Sequence, residues 1–183
     1  MESTLLFFAL PQEAAAFVKL GRHRGWPLRP MAPPLPGRAL QRFVAPGLEV
    51  WVTGMGPKNS LRSGHAALET GRPERLFTCG VAGALNPEAQ VGWVYHEADT
   101  AFPGIDRLQA TASNPGRMVT RDRVVITHLE KAQLRSETQA DLVDMESTVL
   151  RDMARAQGIP SATVRSVSDT AHGAVLAKNG NTY

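Results

Sequence analysis

Short apolar runs and amphipathic runs alternate along this chain. The apolar runs are rich in β-branched and aromatic side chains, which favour strands. They predict strands at residues 4–10, 48–53, 75–78 running on into 79–85, 91–96, 124–127 and 161–168.

Helices are predicted where apolar side chains recur with a helical period. The clearest begins at Glu146, where Met145, Val149 and Met153 share one face, and Gly158 ends it. The other predicted helices cover residues 13–20 and 58–68, with a helical turn over 129–135. Stretches 21–37, rich in Pro, Gly and Arg, and 102–116 predict loops.

Length and composition favour one globular unit. The 183 residues suffice for a single α/β domain with a sizeable core, so we expect one domain over residues 1–183. Hydrophobic residues make up 43% of the chain and charged residues 20%. The alternation of strands and helices predicts a sheet covered by helices.

Charge and cysteine content narrow the function classes. The net charge of +3 is spread along the chain and aromatic residues make up only 6%, so we expect no nucleic-acid partner. The single cysteine, Cys79, forms no disulfide framework, and the histidines lack metal-ligand spacing. We therefore expect no metal and no cofactor.

The first apolar run lacks the features of a signal peptide and no run reaches the length of a membrane span, so we expect a cytoplasmic protein without a membrane partner.

Two acidic clusters lie on either side of the clearest helix. Asp144 and Glu146 lie at its start, and Asp169 follows the strand that comes after it. Because open α/β sheets bind ligands at the carboxyl ends of their strands, we expect Glu146 and Asp169 to face one pocket.

The sequences VDMES and RSVSDTAH, at this separation, resemble the signature of the purine nucleoside phosphorylase and nucleosidase superfamily. The similarity is greatest to methylthioadenosine/S-adenosylhomocysteine nucleosidases. It implies a single-domain mixed β-sheet, partly barrel-like and flanked by helices, that is, a nucleoside phosphorylase-like fold. The superfamily usually has a further C-terminal helix, whereas this chain ends soon after Asp169, so we expect a shortened C-terminus.

The resemblance also implies a reaction, hydrolysis of the N-glycosidic bond of a purine nucleoside. Asp169, oriented by Ser168, falls on the catalytic Ser-Asp pair and would protonate the leaving base, and we expect the pocket to favour its protonated form by desolvation. Glu146 would hold the ribose hydroxyls while Met145 packs against the sugar. Without the resemblance, Asp169 is explained as a residue that caps a turn, and Glu146 as an acidic residue that the helix dipole favours in the first turn.

Further residues of the expected site follow from other parts of the resemblance. The stretch FALPQE resembles GAMEEE of the nucleosidases, which makes Glu13 the candidate for activating water, although a Glu near a helix N-terminus is favoured about equally well by the helix dipole. Glycine-containing strand ends would line the nucleoside site. The remaining substrate-binding candidates are Gly54, Gly80, Val81, Ala82, Val124 and Val125, the two valines standing where nucleosidases have an aromatic residue.

Two alternatives remain open. In a phosphorylase, phosphate would replace water as co-substrate, and Arg75 and Gly56 would bind it. The GDPxR-like turn of the phosphorylases is replaced here by LPQE, which favours water. A non-catalytic nucleoside-binding relative is the second alternative. The resemblance implies a homodimer or larger homo-oligomer.

Overall fold

The computed structural model describes residues 3–33, 36–37 and 39–173. Within them a ten-stranded mixed sheet forms the centre of the molecule. Its strands are β1 (Thr4–Phe8), β2 (Arg29–Met31), β3 (Gln41–Ala45), β4 (Leu48–Val52), β5 (Arg75–Ala84), β6 (Val94–Ala98), β7 (Asn114–Pro115), β8 (Met118–Thr120), β9 (Leu142–Asp144) and β10 (Ser161–Asp169). The helices are α1 (Pro11–His23), α2 (Pro57–Thr70), α3 (Ile105–Gln109), α4 (His128–Thr138) and α5 (Ser147–Ala156).

Four neighbouring parallel strands, in the order β4-β1-β5-β10, form the middle of the sheet. β3 extends this set antiparallel to β4 on one side, and β6 extends it antiparallel to β10 on the other. The long strand β5 also pairs with β9 through its last residues, so the sheet branches there. This is the predicted mixed sheet flanked by helices.

The continuous apolar run of β1 is explained by burial on both faces of the sheet. Leu5 and Phe7 face the cluster that packs against α2 and α5, whereas Leu6 and Phe8 face the cluster beneath α1. Helices α2 and α5 approach closely at Gly64, where an added Cβ would lie 2.6 Å from the sulfur of Met153. Small residues on α2 therefore allow α5 to pack against it.

Several predicted boundaries are wrong. Residues 124–127 form no strand, because Val125 is buried in a cluster with Leu134 of α4 while Val124 remains 38% exposed. The strand in this region is β8 instead. The loop predicted over 21–37 contains β2, and the loop over 102–116 contains α3 and β7. Glu146 is the N-cap of α5 and not its first helical residue.

The predicted shortened C-terminus falls on residues 174–183, which lie outside the described residues. None of the helices described here is long and apolar enough to cross a membrane.

Candidate active site

A cavity of about 190 Å³ opens at the carboxyl edge of the parallel strands. The register explains why side chains from distant parts of the chain meet there. Asp169, at the end of β10, pairs with Gly83 of β5 across an irregularity in the ladder, well beyond the end of β1. Glu13, Glu146, Ser168 and Asp169 all line the cavity. Five apolar candidates line it as well, namely Val81, Ala82, Val124, Val125 and Met145.

Glu13 is held by three backbone amides. Its Oε2 accepts hydrogen bonds from Ala9 (3.1 Å) and Leu10 (3.0 Å), and its Oε1 accepts one from Val81 (3.1 Å). Because Leu10 is the N-cap of α1, Glu13 caps its own helix, and it also contacts β5 through Val81. A carboxylate offers about four acceptor positions, so one remains for a further donor such as water.

Glu146 is buried, with 8% of its surface exposed, and its Oε1 accepts a 2.8 Å hydrogen bond from the backbone N–H of Gly56. Desolvation raises the pKa of the Glu146 carboxyl above its ordinary value, and the Gly56 hydrogen bond opposes that shift. The negative charge of Asp144 raises the pKa further. The cavity thus contains a carboxylate that is costly to keep charged without a polar or cationic ligand.

Asp144 also lines the cavity and forms a hydrogen-bond network beside Glu146. Its Oδ2 accepts from Arg165 Nε at 2.9 Å, and its Oδ1 accepts from the hydroxyls of Thr120 (2.6 Å) and Ser147 (2.9 Å). The side chains of Asp144 and Arg165 are 1% and 3% exposed. Every oxygen of Asp144 is occupied from within the protein, so this carboxylate supports the position of Glu146.

Asp169 has a donor on each carboxylate oxygen. The Ser168 hydroxyl lies 2.6 Å from Oδ1, and the buried ammonium of Lys131 contacts Oδ2. The Ser168 hydroxyl is also 3.1 Å from the carbonyl oxygen of Ala82, so its single proton can serve only one of the two at a time. A cation therefore lies against Asp169, a contact that the sequence did not predict.

Comparison with known proteins places this geometry in a wider group. The family model of the phosphorylase superfamily matches residues 98–181. The structure of futalosine hydrolase from Helicobacter pylori superposes with a TM-score of 0.78 at 18% identity, covering 93% of this chain and 86% of that one. The chain has the nucleoside phosphorylase-like fold.

Two further structures share the nucleoside phosphorylase-like fold. A 5′-methylthioadenosine/S-adenosylhomocysteine nucleosidase from Helicobacter pylori, bound to butyl-thio-DADMe-Immucillin-A, has a TM-score of 0.77 at 19% identity and covers 94% of this chain and 87% of its own. The corresponding Campylobacter jejuni nucleosidase has a TM-score of 0.74 at 18% identity, with 100% and 90% covered. No match was found among curated proteins.

Within the nucleoside phosphorylase-like fold, Arg75 is not at the cavity, so its predicted phosphate role is wrong. It begins β5 at the opposite edge of the sheet, where its Nε donates to Thr4 Oγ1 at 2.9 Å. Val81 lies six positions further along the strand, a distance of about 20 Å. Gly54 and Gly80 are not among the described residues that line the cavity either. Gly80 lies behind it, against Glu13, and Gly56 contacts Glu146.

The sequence did not predict the roles of Lys131, which contacts Asp169, and of Arg123, which lines the cavity. Lys131 is fully buried and Arg123 lines the mouth of the cavity, ion-paired with Glu130. A single lysine on an amphipathic helix does not indicate a buried or functional side chain, because most such lysines are exposed to solvent. Among residues 3–33, 36–37 and 39–173 no three His, Cys, Asp or Glu side chains are grouped to hold a metal ion.

Proposed function

We propose that this protein is a nucleosidase that hydrolyses the N-glycosidic bond of a purine nucleoside. The observation that carries the proposal is that Glu13, Glu146 and Asp169, which are remote in sequence, line one cavity. Cleavage of this bond makes the sugar oxocarbenium-like and releases the base as an anion unless it is protonated. The reaction therefore needs an acid near the base, a negative group near the ribose and a positioned water.

Asp169 is the proposed acid. Its carboxyl group lies at the cavity with 19% of the side chain exposed, and Ser168 orients it through Oδ1. In the proposed step, the O–H bond of the carboxylic acid breaks and an N–H bond forms at N7 of the purine. The electron pair of the breaking C1′–N9 bond moves into the base.

Glu146 is the proposed ribose ligand. Oε1 is already hydrogen-bonded to Gly56, which leaves Oε2 free to accept from the sugar hydroxyls. Its negative charge, buried and poorly solvated, would stabilise the positive charge that develops on the sugar. Met145, which also lines the cavity, would pack against the sugar ring.

Glu13 is the proposed base for the attacking water. Three backbone donors fix its orientation and leave one acceptor position, as a positioned base requires. Water would give a proton to Glu13 as its oxygen bonds to C1′. Hydrolysis is favoured over phosphorolysis because the proposed phosphate ligand, Arg75, lies at the far edge of the sheet.

The base would lie between Val124, Val125 and the β5 segment that contains Val81 and Ala82. Neighbouring structures include nucleosidases for 5′-methylthioadenosine and S-adenosylhomocysteine and a futalosine hydrolase. We therefore propose a substrate of the methylthioadenosine/S-adenosylhomocysteine type. We further propose that the protein acts in the cytoplasm as a homodimer or larger homo-oligomer, and a sedimentation mass equal to one chain would contradict the assembly.

The test is the release of free base from methylthioadenosine, S-adenosylhomocysteine and inosine, each with and without phosphate. Phosphate-independent release is expected. Asp169→Asn should lower kcat by about 100-fold or more, because general acids contribute about that much. Asp152→Asn, an exposed aspartate on α5, is the matched control and should keep the wild-type rate. Phosphate-dependent release would identify a phosphorylase, and no release from any nucleoside would favour a binding protein.

A further inference from the structure

The side chain of Lys131 is fully buried, and the hydrogen bonds of its ammonium group are made to the segment that begins at Asp169. Its Nζ contacts Asp169 Oδ2 and donates to the carbonyl oxygens of Thr170 (2.7 Å) and Gly173 (3.3 Å). These contacts use the three donors of an ammonium group. Helix α4 thereby fixes the end of β10 and the carboxylate that faces the cavity.

Both carboxylate oxygens of Asp169 are already in contact with donors of the protein. One carboxylate oxygen faces the Ser168 hydroxyl and the other faces the Lys131 ammonium, so both oxygens act as acceptors. A leaving purine needs a proton at the moment the C1′–N9 bond breaks. Of the two donors on Asp169, only the ammonium is a cation that can lose a proton in a protein.

We propose that Lys131 is a positioning residue that also stores the proton for Asp169. This inference rests on the proposed nucleosidase function. When substrate fills the cavity, an Nζ–H bond breaks and an O–H bond forms on Oδ2, which leaves a neutral amine and a neutral acid. The acid then passes this proton to N7 of the leaving base. After the base departs, the amine regains a proton through Asp169 from the solvent, which balances the proton that the attacking water released.

A comparison within the same site supports a chemical role over a purely structural one. The structural carboxylate Asp144, 1% exposed, is paired with an arginine, whose guanidinium does not deprotonate in proteins. The cavity-facing carboxylate Asp169, 19% exposed, is paired instead with a lysine. Both carboxylates line the cavity, and the more exposed of the two is therefore the one paired with a cation that can release a proton.

The experiment is a double-mutant cycle on kcat for purine release. It compares the wild type with Lys131→Met, Asp169→Asn and the double variant. If the two residues act as one unit, each single change lowers kcat by about 100-fold or more. The kcat of the double variant should then lie within about threefold of the kcat of the slower single variant. The control is Lys19→Met, an exposed lysine on α1, which should keep wild-type kcat.

The variant Lys131→Arg distinguishes the positioning role of Lys131 from its role as the source of the proton. Arginine keeps the cation and can hold Asp169, but it cannot release a proton. We expect KM within about threefold of the wild type and kcat reduced by about 100-fold. Circular dichroism shows whether Lys131→Met folds. If it does not, Lys131→Arg still tests whether Lys131 supplies the proton, because an unchanged kcat in that variant overturns this role.

The outcomes distinguish this inference from the function on which it depends. The Lys131 proposal alone is overturned if the wild type releases base and the losses in kcat of the two single variants multiply in the double variant. A Lys131→Met variant with kcat within threefold of the wild type overturns it as well. A wild type that releases no base from any nucleoside overturns the nucleosidase function and, with it, the role of Lys131.

Discussion

The carboxylate of Glu146 accepts a hydrogen bond from the backbone N–H of Gly56, which stands ninety residues away in the sequence. Gly56 is the N-cap of α2 and has a positive φ of 88°, a conformation that favours glycine. Glu146 is the N-cap of α5. This single bond therefore joins the starts of two helices at the cavity and fixes the side chain that we assign to the ribose.

The raised pKa of Glu146 predicts a pH-dependent stability. A carboxyl whose pKa is higher in the folded than in the unfolded state binds more protons when folded. The free energy of unfolding therefore falls as the pH rises from the ordinary value of 4.5 through the raised pKa. Glu146→Gln keeps an acceptor for Gly56 and removes this dependence. We expect the variant to be at least as stable as the wild type at pH 7, measured by urea unfolding.

The control for that comparison is the same pair of proteins below pH 4.5, where both states of the wild type are protonated and the stability advantage of Glu146→Gln should shrink. A variant that is less stable than the wild type at pH 7 but equal to it at low pH would show that the charged Glu146 stabilises the fold. The desolvation argument would then be wrong.

The position of Glu13 depends on Gly80. A Cβ on Gly80 would lie 2.9 Å from Glu13 Oε1, and the φ of 149° disfavours other residues. Gly80→Ala should displace the Glu13 carboxylate and destabilise the fold by about 1–3 kcal/mol. Because misplacing a catalytic group by about 1 Å costs about 100-fold, we expect a loss of that order in kcat. Steady-state kinetics and thermal unfolding provide the measurement.

Gly71→Ala is the matched control for Gly80→Ala. Gly71 has an extended backbone, with a φ of 162°, and an added Cβ meets nothing within 4 Å. It should change stability by less than about 0.5 kcal/mol and leave kcat unchanged. Equal kinetic losses in the two glycine variants would contradict the contact between Gly80 and Glu13.

The sequence predicted the central strands because their patterns are local. The apolar run of β1 identifies a strand that is buried by helices on both faces, and the β-branched run of β10 identifies a strand that is buried over most of its length, without knowledge of their partners. The acidic clusters were informative because strand ends of a parallel sheet meet at one edge. Glu146 and Asp169 could therefore be assigned to one pocket before any contact was known.

The features that could not be predicted from the sequence depend on contacts between elements that are distant in the chain. The burial of Lys131 is set by the segment after Asp169, which no periodicity of α4 reveals. Arg75 was misplaced because it begins β5 while the cavity lies at the later residues of that strand, which only the assembled sheet shows. Val124 and Val125 have strand-like composition, yet only the packing of Val125 on α4 determines that this segment is irregular.

The buried pair of Asp144 and Arg165 predicts a large stability effect. Arg165→Met leaves Asp144 charged and buried without its cation, which typically costs about 3–5 kcal/mol. Denaturant unfolding measures this loss. Arg155→Met is the control, since Arg155 is 62% exposed and pairs with Asp152 at the surface, so a change of about 1 kcal/mol or less is expected. Similar losses in both variants would contradict the structural role of the buried pair.

The position of Arg75 predicts that it has no part in choosing the nucleophile. Its guanidinium hydrogen-bonds to Thr4 at the amino-terminal edge of β5, about 20 Å from the cavity by strand length. Arg75→Gln should therefore leave kcat and KM for the nucleoside within about twofold of the wild type, with phosphate present or absent. Arg123→Gln, which changes the guanidinium at the cavity mouth, is the comparison. If phosphate stimulates the wild type and Arg75→Gln alone abolishes that stimulation, then the phosphate site lies at Arg75, and the assignment of the reaction to the carboxyl edge of the sheet is wrong.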